Sequence, residues 1–127
     1  MKVLVIEDNE QNRYLVTFLL EQHGFTVVHA ADGPAGIALA ARETFTLILL
    51  DIHLPGMDGY AVARALRENV TLAEVPIVAV TSYAMAGDRE KSLAAGCDGY
   101  LQKPINPETF VGDLKCFLRP PGKESAP

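Results

Sequence analysis

The stretch Thr46-Leu47-Ile48-Leu49-Leu50-Asp51 decides the fold, because its apolar residues follow one another without alternation and then stop at an acid. A strand with one wet face alternates apolar and polar side chains. A parallel strand covered by helices on both faces is apolar at nearly every position. Val3-Leu-Val-Ile6 and Ile77-Val-Ala-Val80 carry the same continuous pattern. These three runs are expected at the centre of a parallel sheet, with the weaker runs Thr26-Val-Val-His29 and Gly99-Tyr-Leu101 beside them.

Segments with helical spacing separate the runs: Tyr14, Leu15, Phe18, Leu19 and Gln22; Ile37, Ala38, Ala41 and Arg42; Val62, Ala63 and Leu66; Ala84 to Ala95; and Phe110, Val111, Leu114 and Leu118. Punctuation marks the same boundaries. Asn9 can cap the first helix and Gly24 can end it, Pro34 suits a first helical position, Gly96 follows the fourth helix, and Asn106-Pro107-Glu108 offers a cap, a first-turn proline and a first-turn acid. Strand and helix thus alternate five times. The expected class is α/β, an open doubly wound parallel sheet whose ligand site lies beyond the carboxyl ends of the strands, where the strand order switches.

The 127 residues, 49% hydrophobic and 21% charged, suit one domain with a substantial core. That domain is expected over residues 1–118, with the proline-rich and polar segment 119–127 as a disordered tail. A net charge of −5 without a basic patch argues against direct nucleic-acid or anionic-membrane binding. No apolar stretch approaches the roughly 20 residues of a membrane helix, and Lys2 leads straight into a strand-like run rather than a signal peptide. A cytoplasmic protein is expected. Cys97 and Cys116 lack metal or redox spacing and read as small buried hydrophobes.

The strand ends gather chemistry at one rim: Glu7-Asp8 after the first strand, Asp51 after the third, Thr81-Ser82 after the fourth and Lys103-Pro104 after the fifth. Taken singly, an acid after a strand also reads as a helix cap. Asp51 is harder to explain that way, since a carboxylate closing an apolar central strand does no packing and needs a partner. Three carboxylates at one rim want a cation, and an oxygen-only set without clustered histidine or thiolate suits Mg²⁺ or Mn²⁺. Asp8 and Asp51 are the expected direct ligands, with Glu7 acting through water. Lys103 can pair with Asp51 before a reaction and with a phosphoryl oxygen after it, while Thr81 offers a hydroxyl to another oxygen. Metal, lysine and hydroxyl around a nucleophilic carboxylate make up a phosphoryl-transfer site that would form a labile acyl phosphate.

Glu7-Asp8, Asp51, Thr81 and Lys103-Pro104, with Leu54-Pro55-Gly56-Met57-Asp58-Gly59 and Tyr100, have the order and spacing of the receiver domain of two-component response regulators, which residues 2 to about 118 resemble. Through Glu7-Asp-Asn-Glu-Gln-Asn12 and Thr81-Ser-Tyr-Ala-Met-Ala-Gly-Asp88, the likeness is strongest to stand-alone regulators of the cell-division type and to receivers attached to hybrid histidine kinases. It implies a flavodoxin-like sheet of order 2-1-3-4-5 with five helices. It also implies Mg²⁺-dependent transfer to Asp51 from a phosphohistidine on a sensor histidine kinase or histidine phosphotransfer protein, and signalling through a downstream protein target. The only reactions would be self-phosphorylation from phosphodonors and auto-dephosphorylation. The backbone carbonyl of His53 would complete the metal site, the Lys103-Pro104 bond would be cis, and Thr81 and Tyr100 would move together as a switch. Partner contact would fall on Tyr83, Met85, Tyr100 and Phe110, and a second surface on the first helix, where the apolar set exceeds one buried stripe.

His53 departs from what the resemblance specifies and bears on the lifetime of the acyl phosphate, although a solvated loop histidine is the simpler reading. His23 and His29 lack ligand spacing. Met1 opening onto the first strand favours a stand-alone regulator over a receiver cut from a hybrid kinase or a DNA-binding regulator. A metal-dependent phosphatase would need an Asp where His53 stands, and a nucleotide-binding enzyme would need a glycine-rich loop where Glu7-Asp-Asn-Glu10 stands.

Overall fold

In the computed structural model, which describes residues 1–54, 56–81 and 87–118, strands β1 (Lys2–Ile6), β2 (Thr26–Ala30), β3 (Leu47–Asp51), β4 (Ile77–Thr81) and β5 (Gly99–Gln102) alternate with helices α1 (Glu10–Gln22), α2 (Gly33–Arg42), α3 (Gly59–Arg67), α4 (Asp88–Ala94) and α5 (Phe110–Lys115). The strands form one parallel sheet in the order β2-β1-β3-β4-β5. The order reverses between β1 and β3, which fixes where a crevice can open.

The unbroken apolar strands split by their two-residue period. Leu4, Ile6, Ile48, Leu50, Ile77 and Ala79 face one way and pack with Ala40 of α2 and Val62, Ala63 and Leu66 of α3. Val3, Val5, Leu47, Leu49, Val78 and Val80 face the other way, onto Val16, Leu19 and Leu20 of α1 and Phe110, Val111 and Leu114 of α5. Both faces of β3 are thus sealed, and Leu47 to Leu50 are at most 2% exposed. Each such side chain contributes about 1.5–3 kcal/mol by leaving water.

Caps act as the sequence suggests at several ends. The Asn9 side chain accepts from Asn12 N–H at 2.9 Å, Pro34 stands in the first turn of α2 one place after its first residue Gly33, and Gly24 and Gly96 take positive φ after α1 and α4, while the α2 cap, Asp32, is one the sequence reading does not single out. Asn106 does accept from Glu108 N–H at 2.9 Å, but it caps a turn; α5 begins later, at Phe110.

Other expectations need correction. In α2 the buried positions are Gly33, Gly36 and Ala40, while Ala38, Ala41 and Arg42 are exposed. A Cβ at Gly36 would stand 2.7 Å from Ile6 Cγ1, so the helix turns its smallest residues to the sheet to lie close against it. A pattern weighted by apolar size selects the wrong stripe there. Phe110 is 1% exposed and belongs to the core, not to a partner surface. Cys97 is buried as expected, but Cys116 is exposed. Tyr14 and Phe18, expected on the apolar face of α1, are 74% and 48% exposed, their rings stacked at 6.4 Å. A 3₁₀ turn at Val70–Leu72 adds an element that the apolar pattern does not announce. Tyr83, Met85, the start of the expected fourth helix and the tail 119–127 lie outside the described residues.

Where β4 and β5 begin, one arginine ties the loops. Arg67 donates to the carbonyls of Gly96 (2.8 Å), Leu72 (2.6 Å) and Val75 (2.9 Å), and its Nη2 meets Asp98 Oδ2 at 2.7 Å. That same carboxylate oxygen accepts from Ile77 N–H at 2.8 Å.

Candidate functional site

Asp51 is the last residue of β3 and only 3% exposed, so its carboxylate is held at the floor of the crevice by a sealed strand. The backbone N–H of His53 donates to its Oδ1 at 3.0 Å, and Lys103 Nζ stands 3.4 Å from Oδ2. The turn that follows is drawn tight. Gly59 N–H donates to Ile52 O at 3.0 Å, and a Cβ at Gly59 would overlap the Ile52 backbone and come within 2.9 Å of the Asp51 carbonyl. Only glycine lets α3 start this close to the end of β3.

Glu7 and Asp8 follow β1. Glu7 N–H bonds Ala30 O at 3.0 Å, extending the pairing with β2, and Arg13 donates to the carbonyls of Glu7 (3.0 Å) and Asp8 (3.3 Å). Arg13 therefore clamps the acidic turn from α1. Its place beside the site is visible in the sequence, but its targets are backbone carbonyls and leave no sequence mark.

Lys103 follows β5, and its N–H bonds Thr81 O at 2.7 Å. The Lys103-Pro104 bond is cis, as the resemblance implies. The Lys103 ammonium lies nearer Glu7 Oε1, at 3.1 Å, than Asp51 Oδ2. The spacing of the chain gives no sign of this Lys103–Glu7 pair. Glu7 is buried, and its Oε2 also accepts from Asn9 N–H at 3.1 Å. Burial first, then the hydrogen bond and repulsion of Asp51, push the Glu7 carboxyl up to about 7, against the pull of Asn9 N–H and Lys103.

Carboxylate oxygens of Glu7, Asp8 and Asp51 all lie within 4.8 Å of one another, the first and last buried and Asp8 exposed. Among the described residues the Lys103 ammonium pairs with two of these carboxylates, Glu7 and Asp51, and every ligand atom in the set is oxygen. Such a set fits a hard divalent cation, which would supply the missing positive charge from the solvent side.

Thr81 closes β4, 2% exposed, with its hydroxyl at the rim 3.3 Å from His53 Nε2. Sequence reasoning misses that side-chain contact, because residues 28 positions apart meet only once β3 and β4 are paired. His53 itself is exposed and lines an open cleft with Asp8, Leu54, Asp58 and Tyr60. Tyr100 is half-buried on β5, in register with Ala79 and packed on the core face shared with α3. The fold thus brings Glu7, Asp8, Asp51, Thr81, His53 and Lys103 to one rim. Tyr100 lies two residues back along its strand from the Thr81 partner Gln102.

Known proteins resemble this chain over nearly its whole length. The family model described as the response regulator receiver domain matches residues 3–115. The polar-differentiation response regulator DivK of Brucella anthropi is 36% identical over 116 residues, 91% of this chain and 94% of that protein. Among solved structures, the Vibrio cholerae chemotaxis protein CheY4 superposes with a TM-score of 0.89 at 32% identity, covering 92% of this chain and 98% of that one. The receiver domain of the sensor histidine kinase PA1611 from Pseudomonas aeruginosa does so at 0.84 and 35% identity, over 91% and 95%, and it holds a magnesium ion in its active-site cleft. With the sheet order, the acidic rim and the match over nearly its whole length, the chain belongs to the response regulator receiver domain family of two-component signalling, the phosphorylation-dependent switches.

Proposed function

We propose that Asp51 is the phosphate acceptor of this switch, taking the phosphoryl group from a phosphohistidine of a sensor histidine kinase or histidine phosphotransfer protein. The observation that carries this is the Asp51 carboxylate, buried at the switch in strand order with Lys103 Nζ 3.4 Å away and two further carboxylates beside it. An Asp51 oxygen attacks phosphorus, the P–N bond breaks, and its electron pair leaves on the imidazole nitrogen, which takes up a proton. The product is an acyl phosphate, and attack by water on it returns Asp51 and inorganic phosphate. Glu7, Asp8 and Asp51, with the His53 carbonyl, would hold Mg²⁺, and Mn²⁺ suits the same oxygen set. When bound, the ion supplies positive charge to the phosphoryl oxygens.

The chain's own residues do the rest. Lys103 exchanges an Asp51 oxygen for a phosphoryl oxygen, and the Thr81 hydroxyl donates to another. Tyr100 then repacks into the space that Thr81 leaves, which alters the face of β5 read by a downstream protein. The phosphodonor docks on the rim of α1, where Tyr14 and Phe18 leave aromatic surface in solvent beside Arg13. No described helix is long and apolar enough to cross a membrane, in keeping with action in the cytoplasm. The likeness to a kinase-borne receiver as well as to DivK supports a second setting, in which the same site works as a module of a larger kinase.

Incubation with Mg²⁺ and a small phosphodonor tests the acceptor. Intact mass should gain one phosphate in the wild type, far more slowly in Asp8→Asn, and none in Asp51→Asn. An adduct that survives in Asp51→Asn contradicts the assignment, and an adduct indifferent to Mg²⁺ contradicts the metal.

A further inference from the structure

The His53 side chain crosses the rim from the acceptor's own turn to the last residue of β4, with Nε2 3.3 Å from Thr81 Oγ1. Thr81 is fixed in a sealed strand, whereas His53 is exposed, so the contact closes over the hydroxyl from the solvent side. Its backbone serves a separate purpose, since His53 N–H bonds Asp51 Oδ1. A side-chain substitution leaves that bond available.

A hydroxyl carries one proton and can give it to one acceptor at a time. With the imidazole proton on Nδ1, Nε2 accepts from Thr81, and a phosphoryl oxygen on Asp51 must compete for the same proton. With the proton on Nε2, the ring donates to Oγ1 and holds the rotamer that faces His53. In the first tautomer, giving the proton to a phosphoryl oxygen breaks the contact with His53; in the second, the contact breaks when the hydroxyl leaves that rotamer.

We propose that His53 is a positioning residue, a latch whose imidazole keeps the Thr81 hydroxyl in its resting orientation and so opposes the switched state. The inference rests on the reading of Thr81 as the phosphoryl contact. A latch stabilises only the resting state, so removing it shifts the equilibrium toward the switched one. For a single neutral hydrogen bond at a partly exposed site, that shift is about 2- to 5-fold.

Beryllofluoride with Mg²⁺, a tetrahedral mimic of the phosphoryl group, provides the probe, and the backbone amide resonance at position 81 provides the readout. His53→Ala should lower the half-saturating beryllofluoride concentration about 2- to 5-fold, while His53→Gln, which can still reach Oγ1, should stay near the wild type. In a Thr81→Ala background His53→Ala should give no such lowering, because the His53–Thr81 contact is already gone. Without any ligand, Thr81 side-chain couplings should differ between the wild type and His53→Ala. An unchanged or raised half-saturation in His53→Ala, or the same shift in the Thr81→Ala background, overturns the latch alone. Failure of the wild type to bind beryllofluoride, or equal binding by Thr81→Ala and wild type, overturns the reading of the site and the latch with it.

Discussion

Where β4 and β5 begin, one guanidinium meets one carboxylate; where β1 and β3 stop, one ammonium is shared between two carboxylates with a third beside them. Arg67 gives four of its five N–H donors to three carbonyls and Asp98, and Asp98 in turn holds the N–H of Ile77. Charge is balanced there and the hydrogen bonds are made, so the cluster has no use for a visitor. At the opposite end Lys103 is shared between Glu7 and Asp51, Asp8 has solvent beside it, and Glu7 is pushed up to about 7. The same residue chemistry locks one end of the sheet and leaves the other short of positive charge. That deficit is what lets the rim receive a cation and a phosphoryl group.

The contrast can be broken at its locked end first. Arg67→Ala strands Asp98 and three carbonyls, and should cost about 2–4 kcal/mol in urea unfolding. Phosphate uptake below the unfolding transition should be unchanged. A variant of wild-type stability, or one that stays folded but no longer accepts phosphate, would blur the division between a structural end and a functional one.

A smaller effect of opposite sign is expected at the rim. Between the usual Glu value of 4.5 and about 7, the folded chain keeps a proton on Glu7 that the unfolded chain releases. Stability without metal should therefore fall as pH rises through that window. Mg²⁺ favours the ionised carboxylate, so the stabilisation it gives should grow with pH. Glu7→Gln should flatten the metal-free slope and raise stability at pH 8 by about 1 kcal/mol. A metal-free stability that climbs between pH 5 and pH 7 in the wild type and not in the variant would reverse the sign and remove Glu7 from the account.

Much of this molecule is legible in its amino-acid sequence. The unalternating runs around Leu49 announce a sheet covered on both faces, and an acid closing such a run marks the site, because periodicity and solvation act locally along the chain. The phase of α2 is not legible, since close packing against Ile6 selects glycine and alanine over larger residues. Tyr14 and Phe18 mislead for the converse reason: apolar side chains at helical spacing do not say which of two stripes meets the sheet. Lys103 to Glu7 and His53 to Thr81 join residues brought together only by strand order, and neither pairing has a signature in spacing.

The most direct trial of the central claim is chemical localisation of the phosphoryl group. After phosphorylation in Mg²⁺, borohydride reduces an acyl phosphate on aspartate to homoserine, which peptide mass mapping assigns to a position. Homoserine at position 51, and nowhere else, is the predicted result. A reduced residue at Asp8 or Glu7, or phosphate retained on a hydroxyl or imidazole with Asp51 intact, would contradict it.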